Sequence, residues 1–310
     1  MPLDHAALQA LAAVVHEGSF ERAAQRLHVT PSAVSQRIRA LEERCGAVLV
    51  VRGQPCTATP LGRRLCRHAE RLAALDHELA RELVDTLPAL ALDDGGDEAR
   101  AVARPTLRIA VNADSLATWF VPALAVFAAE ADALVQVTVD DETHTAEALR
   151  RGEVLAAVCA RARPVQGCRV TALGALRYRA TASPAFVARH FPRGVGVRAL
   201  AQAPCLRFDR KDELQAQWVQ RVFGRAVTMP QHALPSSESF VQATLLGLGW
   251  ALNPEPLVAA HLAAGRLVEL KPATPLDQPL YWQASRLAGP PLAPLTKAVL
   301  AAAATLVPPR

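Results

Sequence analysis

The chain has 310 residues, 51% of them hydrophobic and 20% charged, with a net charge of +5; this suits a globular protein with a real core and two or three domains of roughly 100–200 residues each. No uncharged apolar run reaches membrane-spanning length, and the six cysteines (Cys45, Cys56, Cys66, Cys159, Cys168, Cys205) show no C-x-x-C or paired metal spacing, which argues against a helical membrane protein and a zinc module; Cys159 and Cys168 are near enough in sequence to raise the question of an oxidant-sensing pair, against the competing reading of buried or incidental thiols. From Arg22 to Arg67 nine arginines stand against two acids, so that stretch carries +7 and the rest of the chain −2, the charge placement of a nucleic-acid-binding front end.

The first element is an amphipathic helix in MPLDHAALQALAAVV, with Leu8, Leu11, Ala12 and Val15 on one face and no basic segment before it. Gly18 ends it and Ser19 caps a second helix, which has Phe20, Ala23, Ala24 and Leu27 on one side. Leu27–Thr30 is a turn. Thr30 caps the third helix, and Pro31 suits its first position because no backbone donor is needed there. Val34, Ile38, Leu41 and Cys45 form the apolar side of this helix; Ser32, Ser35, Gln36 and Arg39 form the other. Short hydroxyls, an amide and a guanidinium are the groups that bond to base edges and phosphates. The competing reading is an ordinary amphipathic helix with a solvated face. The capped turn, the preceding helix, the small Ala33 and the local positive charge favour a recognition helix instead. After Gly46, AVLVVRGQPCTATPLG reads as a strand, a turn and a return strand, with Arg52 placed for a phosphate or minor-groove contact.

The pattern F-x-x-A-A-x-x-L, then T-P-S-A-V-S-Q-R-I-R-A-L-E, then L-V-V-R and T-P-L-G, runs from Phe20 to Gly62 and resembles the amino-terminal domain of LysR-type transcriptional regulators. The resemblance implies an α/β protein with a winged helix-turn-helix, a long linker helix and a two-lobed effector domain like the periplasmic-binding-protein fold. Thr30, Pro31, Ser32, Ala33, Ser35, Gln36, Arg37, Arg39 and Arg52 are the expected contacts to double-stranded DNA. The expected domains are 1–60 for DNA binding, 61–88 for the linker helix, 89–105 for a hinge and 106–310 for the effector domain.

Thr59-Pro60 opens that linker. Leu61, Leu65, His68, Leu72, Leu75 and Leu79 follow heptad spacing, a seam narrow enough to need a partner helix. It could pack on its own domain, but it resembles the family's dimerisation helix. A homodimer, or a dimer of dimers, would then meet an interrupted inverted-repeat operator, with RNA polymerase as the further partner. Asp93–Glu98, acidic and Gly-containing, reads as the hinge.

From Leu107 the period changes. LRIAVNA, LVQVTVD and VLAAVCA read as strands alternating with helical stretches, which argues for a mainly parallel sheet. RVTALGALRYRATAS is extended and suits a crossing into a second lobe that holds CLRFD, DELQAQWVQRVF and SESFVQATLLGLGWALNP. The chain is expected to return through LVEL and LYWQAS, placing about 106–172 and 267–310 in one lobe and about 173–266 in the other. Ligands gather at the carboxyl ends of strands in such sheets. Those ends carry Asp114 and Ser115, then Asp141, Glu142 and Thr143, then Asp209 and Asp212, then Ser237 and Glu238. Helix-start amides and hydroxyls beside several acids suit a zwitterion with an extra positive charge. Each such Ser, Asp or Glu alone could equally be a helix cap; the clustering at four strand ends is the argument for a site.

V-N-A-D-S-L-A-T-W, the D-E-T region, L-G-A-L-x-Y and S-S-E-x-F-V-Q resemble the ArgP/LysG branch of the family. That resemblance implies L-lysine or L-arginine as co-effector and a basic-amino-acid exporter gene as target; the residues do not choose between the two ligands. No cofactor and no metal are implied. One branch member was described as an inhibitor of chromosome initiation, so a nucleoid-type DNA binder without an effector is the alternative. A third reading is an amino-acid-binding or converting protein, but no P-loop, nucleophile elbow, H-E-x-x-H or dinucleotide fingerprint is present and no catalytic residue is expected. A cytoplasmic, nucleoid-associated location is expected.

Overall fold

A computed structural model describes residues 4–86, 106–139, 142–160, 162–286, 288–289 and 292–308. The expected hinge over 89–105 and the acids Asp140 and Asp141 lie outside them.

The amino-terminal module is three helices and a two-stranded wing. Helix α1 (His5–Glu17) starts at Asp4, whose side chain accepts from the Ala6 N–H, and ends at Gly18 in the left-handed region. Ser19 accepts from the Arg22 N–H to begin α2 (Phe20–Arg26), and Thr30 accepts from the Ala33 N–H to begin α3 (Pro31–Cys45). Between them His28 takes φ +53°, which lets the turn reverse within four residues. Leu8, Leu11, Val14, Ala23, Ala24, Val34, Ile38, Leu41 and Leu49 make the core. Each large side chain sealed there contributes about 1.5–3 kcal/mol. Strands β1 (Val50–Val51) and β2 (Thr57–Ala58) pair antiparallel as the wing.

Helix α4 (Pro60–Thr86) follows, with Thr59 capping it by accepting from the Gly62 N–H. Its seam divides. Leu61, Leu65 and Leu72 are half-buried against the module's core, together with buried Cys66 and Ala69, so α1 serves as their partner helix. Leu75 and Leu79 are 53% and 55% exposed and His68 is exposed.

The remainder is two lobes. In the first, β3 (Thr106–Val111), β4 (Leu134–Val139) and β5 (Ala156–Cys159) pair in parallel in the order β4-β3-β5. A helical stretch after β3 begins as α5 (Ala113–Ser115), loosens into a π-helical turn at Leu116–Phe120 and continues as α6 (Val121–Glu130). Helix α7 (Glu142–Arg151) connects β4 to β5. Strand β6 (Cys168–Ala182) then leaves the first lobe and α8 (Pro184–His190), α9 (Val197–Leu200), β7 (Cys205–Arg207), α10 (Leu214–Phe223), β8 (Gln231–Ala233), α11 (Ser237–Leu245), β9 (Ala251–Pro254), α12 (Glu255–Ala263) and β10 (Val268–Glu269) build the second. Strand β11 (Leu276–Ser285) returns, pairing antiparallel with β6 along its whole length and with β5, and α13 (Leu292–Ala302) packs beside α6.

The return differs from expectation in one respect. Val268 and Glu269 pair with Ala182 and Thr181 at the far end of β6, so LVEL is an edge of the second lobe and the crossing is made by β11 alone. Two-residue β10 reads like any short apolar strand; only its partner reveals its lobe. The crossing strands are held by the Arg177–Asp277 ion pair across β6 and β11, at 2.7 and 2.9 Å. The register slips between Leu280 and Tyr281, opposite Gly174. Gly174 has φ +125°, and a Cβ there would lie 2.7 Å from the Val307 carbonyl, so only glycine permits this approach.

Candidate functional site

Helix α3 turns its polar side outward. Val34, Ile38 and Leu41 are buried, whereas Thr30, Pro31, Ser32, Gln36 and Arg39 are exposed and Ala33, Ser35 and Arg37 half-buried. The Thr30 hydroxyl is engaged in the cap at 3.2 Å. Arg39 pairs with Glu43 at 3.1 Å on the exposed face, an interaction worth roughly 0–1 kcal/mol that a phosphate can displace. The Arg52 guanidinium stacks over the Phe20 ring at 5.1 Å, which aims the wing arginine from a rigid base on α2. Among the described residues no cluster of His, Cys, Asp or Glu is arranged to hold a metal, and no helix is long and apolar enough to cross a membrane. All six cysteines are free thiols; Cys159 and Cys168 form no disulfide.

A cavity of about 810 Å³ lies between the lobes, where β3, β4 and β5 end. Its centre is Asp114, in the first turn after β3. One carboxylate oxygen accepts from the Tyr178 hydroxyl at 2.6 Å and the other from the Ser237 hydroxyl at 2.5 Å. Asp114 belongs to the first lobe, Tyr178 to a crossing strand and Ser237 to the second lobe, so one carboxylate ties all three. Burial pushes the Asp114 carboxyl above its ordinary value; the two hydroxyls pull it back and Asp212 adds to the rise. Burial and the adjacent Asp114 hold the Tyr178 phenol well above its ordinary value, so it stays a neutral donor.

The second-lobe wall is the loop Phe208–Leu214. Asp209 accepts from the Lys211 and Asp212 N–H groups at 2.7 and 3.0 Å. Asp212 accepts from the Phe208 and Leu214 N–H groups at 2.9 and 3.0 Å. Both acids therefore organise the loop and line the cavity at once. Ser236, rather than Ser237, caps α11 by accepting from Ser239, which leaves the Ser237 hydroxyl for Asp114.

Of the expected ligand contacts, Asp114, Asp209, Asp212 and Ser237 come together in this cavity. Ser115 is fully buried beneath it and does not form its wall, and Glu238 points outward, exposed. One residue along a helix is a rotation of about 100°, enough to separate Glu238 from Ser237. Glu142 and Thr143 lie in the first turn of α7, and Asp141 lies outside the described residues. Tyr178, Thr145, Lys211, Gln217 and Gln278 line the cavity without having been singled out from the sequence for that role. The only signal for Tyr178 was its place in the L-G-A-L-x-Y stretch.

Comparisons with known proteins agree with this arrangement. Residues 5–63 match the bacterial regulatory helix-turn-helix protein, lysR family, and residues 100–307 match the LysR substrate binding domain. The chain is 47% identical over 300 residues to the HTH-type transcriptional regulator ArgP of Pseudomonas aeruginosa, covering 97% of this chain and 96% of that protein. It resembles the crystal structure of ArgP from Mycobacterium tuberculosis with a TM-score of 0.80 at 45% identity, over 100% of both chains. It also resembles full-length LysG from Corynebacterium glutamicum with bound effector Arg, with a TM-score of 0.70 at 39% identity over 99% of this chain and 100% of that one.

Proposed function

This chain belongs to the LysR family of helix-turn-helix transcriptional regulators, and on that premise we propose that a basic amino acid, L-arginine or L-lysine, occupies the interlobe cavity and sets the protein's action on DNA. The observation that carries the reading is Asp114. A partly buried carboxylate, held by two neutral hydroxyls, has no cationic partner of its own in the hydrogen bonds that fix it. Its remaining lone pairs suit an ammonium or guanidinium donor. Asp209 and Asp212 add negative charge on the opposite wall, which suits a ligand cationic at both ends, and Lys211 on the same loop suits its carboxylate. The arginine bound to the Corynebacterium glutamicum relative supports the same ligand class.

On this reading α3 enters the major groove, Gln36 and Ser35 face base edges, and Arg37, Arg39 and Arg52 meet phosphates. Exposed Leu75 and Leu79 on α4 suit a second copy of the chain, giving a two-fold dimer, or a pair of dimers, on an interrupted inverted repeat. Control of a basic-amino-acid exporter gene, action through RNA polymerase and a cytoplasmic location complete the proposal.

The test is calorimetric titration of the purified protein with L-arginine, L-lysine, L-leucine and L-glutamate, with and without a duplex that the protein selects from random DNA. Binding of the two basic amino acids and not the others is expected. DNA binding without any response to either basic amino acid would instead favour an effector-independent, nucleoid-type protein.

A further inference from the structure

Two of the elements that wall the cavity from the first lobe, β3 and α7, also reach α4. Strand β3 runs into Asp114 at one end; six residues back, Arg108 forms an ion pair with Glu70 of α4. Helix α7 begins beside the cavity, where buried Thr145 lines the wall. It ends at Gly152, where a Cβ would lie 3.2 Å from Arg67 Nε and 3.6 Å from an Arg71 guanidinium nitrogen. Glu153, the next residue, acts electrostatically on Arg67. Ten residues of helix span about 15 Å, so α7 reaches from the ligand wall to the linker helix as one rigid piece. Leu149 of α7 and Ala110 of β3 share a small buried core with Val154, Ala157, Val165 and Cys168, which makes the two elements move together. The same stretch of α4 carries Cys66 and Ala69, buried in the core of the DNA-binding module.

We propose that Arg67, Glu70 and Arg71 of α4, docked on Arg108 and Gly152–Glu153, form the surface that transmits cavity occupancy to the DNA-binding module within one chain. The proposal rests on the reading that the cavity takes a basic amino acid. A ligand that draws the lobes together moves the β3–α7 body. That body carries the dock with it and tilts α4 against α1 and α3.

The test uses the full-length protein and a duplex it selects from random DNA. DNA affinity is measured with and without saturating L-arginine for the wild type, Glu70→Gln, Arg108→Gln and the exchanged pair Glu70→Arg with Arg108→Glu. Calorimetry follows L-arginine binding in each. Coupling between two sites is typically about 5- to 150-fold. Both single variants should bind L-arginine within about twofold of the wild type while the arginine effect on DNA shrinks severalfold, and the exchanged pair should regain part of it. Hydrogen exchange on the wild type gives a readout free of variants: L-arginine should change protection in 64–72 as well as in 106–160. An undiminished arginine effect in both single variants, or an arginine response confined to the effector lobes, overturns the proposal and leaves the functional reading standing. A wild type that binds neither basic amino acid overturns the functional reading, and this inference with it.

Discussion

Replacing Asp114 by Asn tests the centre of the site with almost no change in volume. The carboxylate accepts one hydrogen bond on each oxygen, from Ser237 and Tyr178, and each oxygen can take a further donor. An amide removes the charge and turns one acceptor into a donor facing a hydroxyl, which must then rotate to accept. Truncating one partner of a buried, hydrogen-bonded charge pair costs about 2–5 kcal/mol. Asparagine keeps the shape of the group and one acceptor oxygen, so the lower part of that range applies, about 2–3 kcal/mol, or about 30- to 150-fold in Kd for L-arginine. Titration calorimetry on the wild type and Asp114→Asn measures it, with thermal unfolding and DNA binding as controls for the fold. A loss below about threefold in a folded variant would refute the assignment of this carboxylate to the ligand's cationic group.

Further outcomes are expected elsewhere. Gln36→Ala should reduce discrimination between a selected duplex and random DNA by about 1–3 kcal/mol if a bidentate base contact is lost; equal losses on both DNAs in a binding assay would assign Gln36 to the backbone instead. Because burial holds the Asp114 carboxyl above its ordinary value, the folded protein binds that proton at a pH where the unfolded chain has released it. This group's contribution to stability therefore falls as pH rises from the ordinary value through the raised one, and L-arginine affinity is lost on acidification sooner than an ordinary aspartate predicts. Thermal melts of wild type and Asp114→Asn across that window should differ in slope, the wild type losing more stability than the variant as pH rises. The Cys66 and Cys205 thiols are pushed up to about 12 by burial, so mildly alkaline alkylation of the native protein, read by mass spectrometry, should leave both unlabelled until the chain unfolds.

The amino-terminal module was legible residue by residue because its determinants are local. Ser19, Thr30, Pro31 and Gly46 act within one turn of where they stand, and the spacing of Val34, Ile38 and Leu41 is a property of a single helix. Strand alternation likewise announced two lobes and the long crossing strand β6. The seam on α4 was harder, because heptad spacing shows which side of a helix is apolar but not what covers it. Here α1 covers Leu61, Leu65 and Leu72, and Leu75 and Leu79 stay exposed. The cavity was half legible. Asp114 and Ser237 stood out at the ends of strands, but the fact that they bond each other does not, since 123 residues separate them. Tyr178, 64 residues from Asp114, is one of the two tyrosines in the sequence, and nothing in its neighbours marks it as a donor; only the path of β6 past α5 makes it a donor to that carboxylate. Ser237 and Glu238 are adjacent polar residues at a helix start, yet one is inside and the other is out. Caps, turns and periodicities are written in neighbouring residues and follow from the chain itself. Lobe membership, the three-way tie at Asp114 and the dock of Arg108 on Glu70 are set by which surfaces meet, and that depends on packing between distant segments, a quantity no local pattern contains.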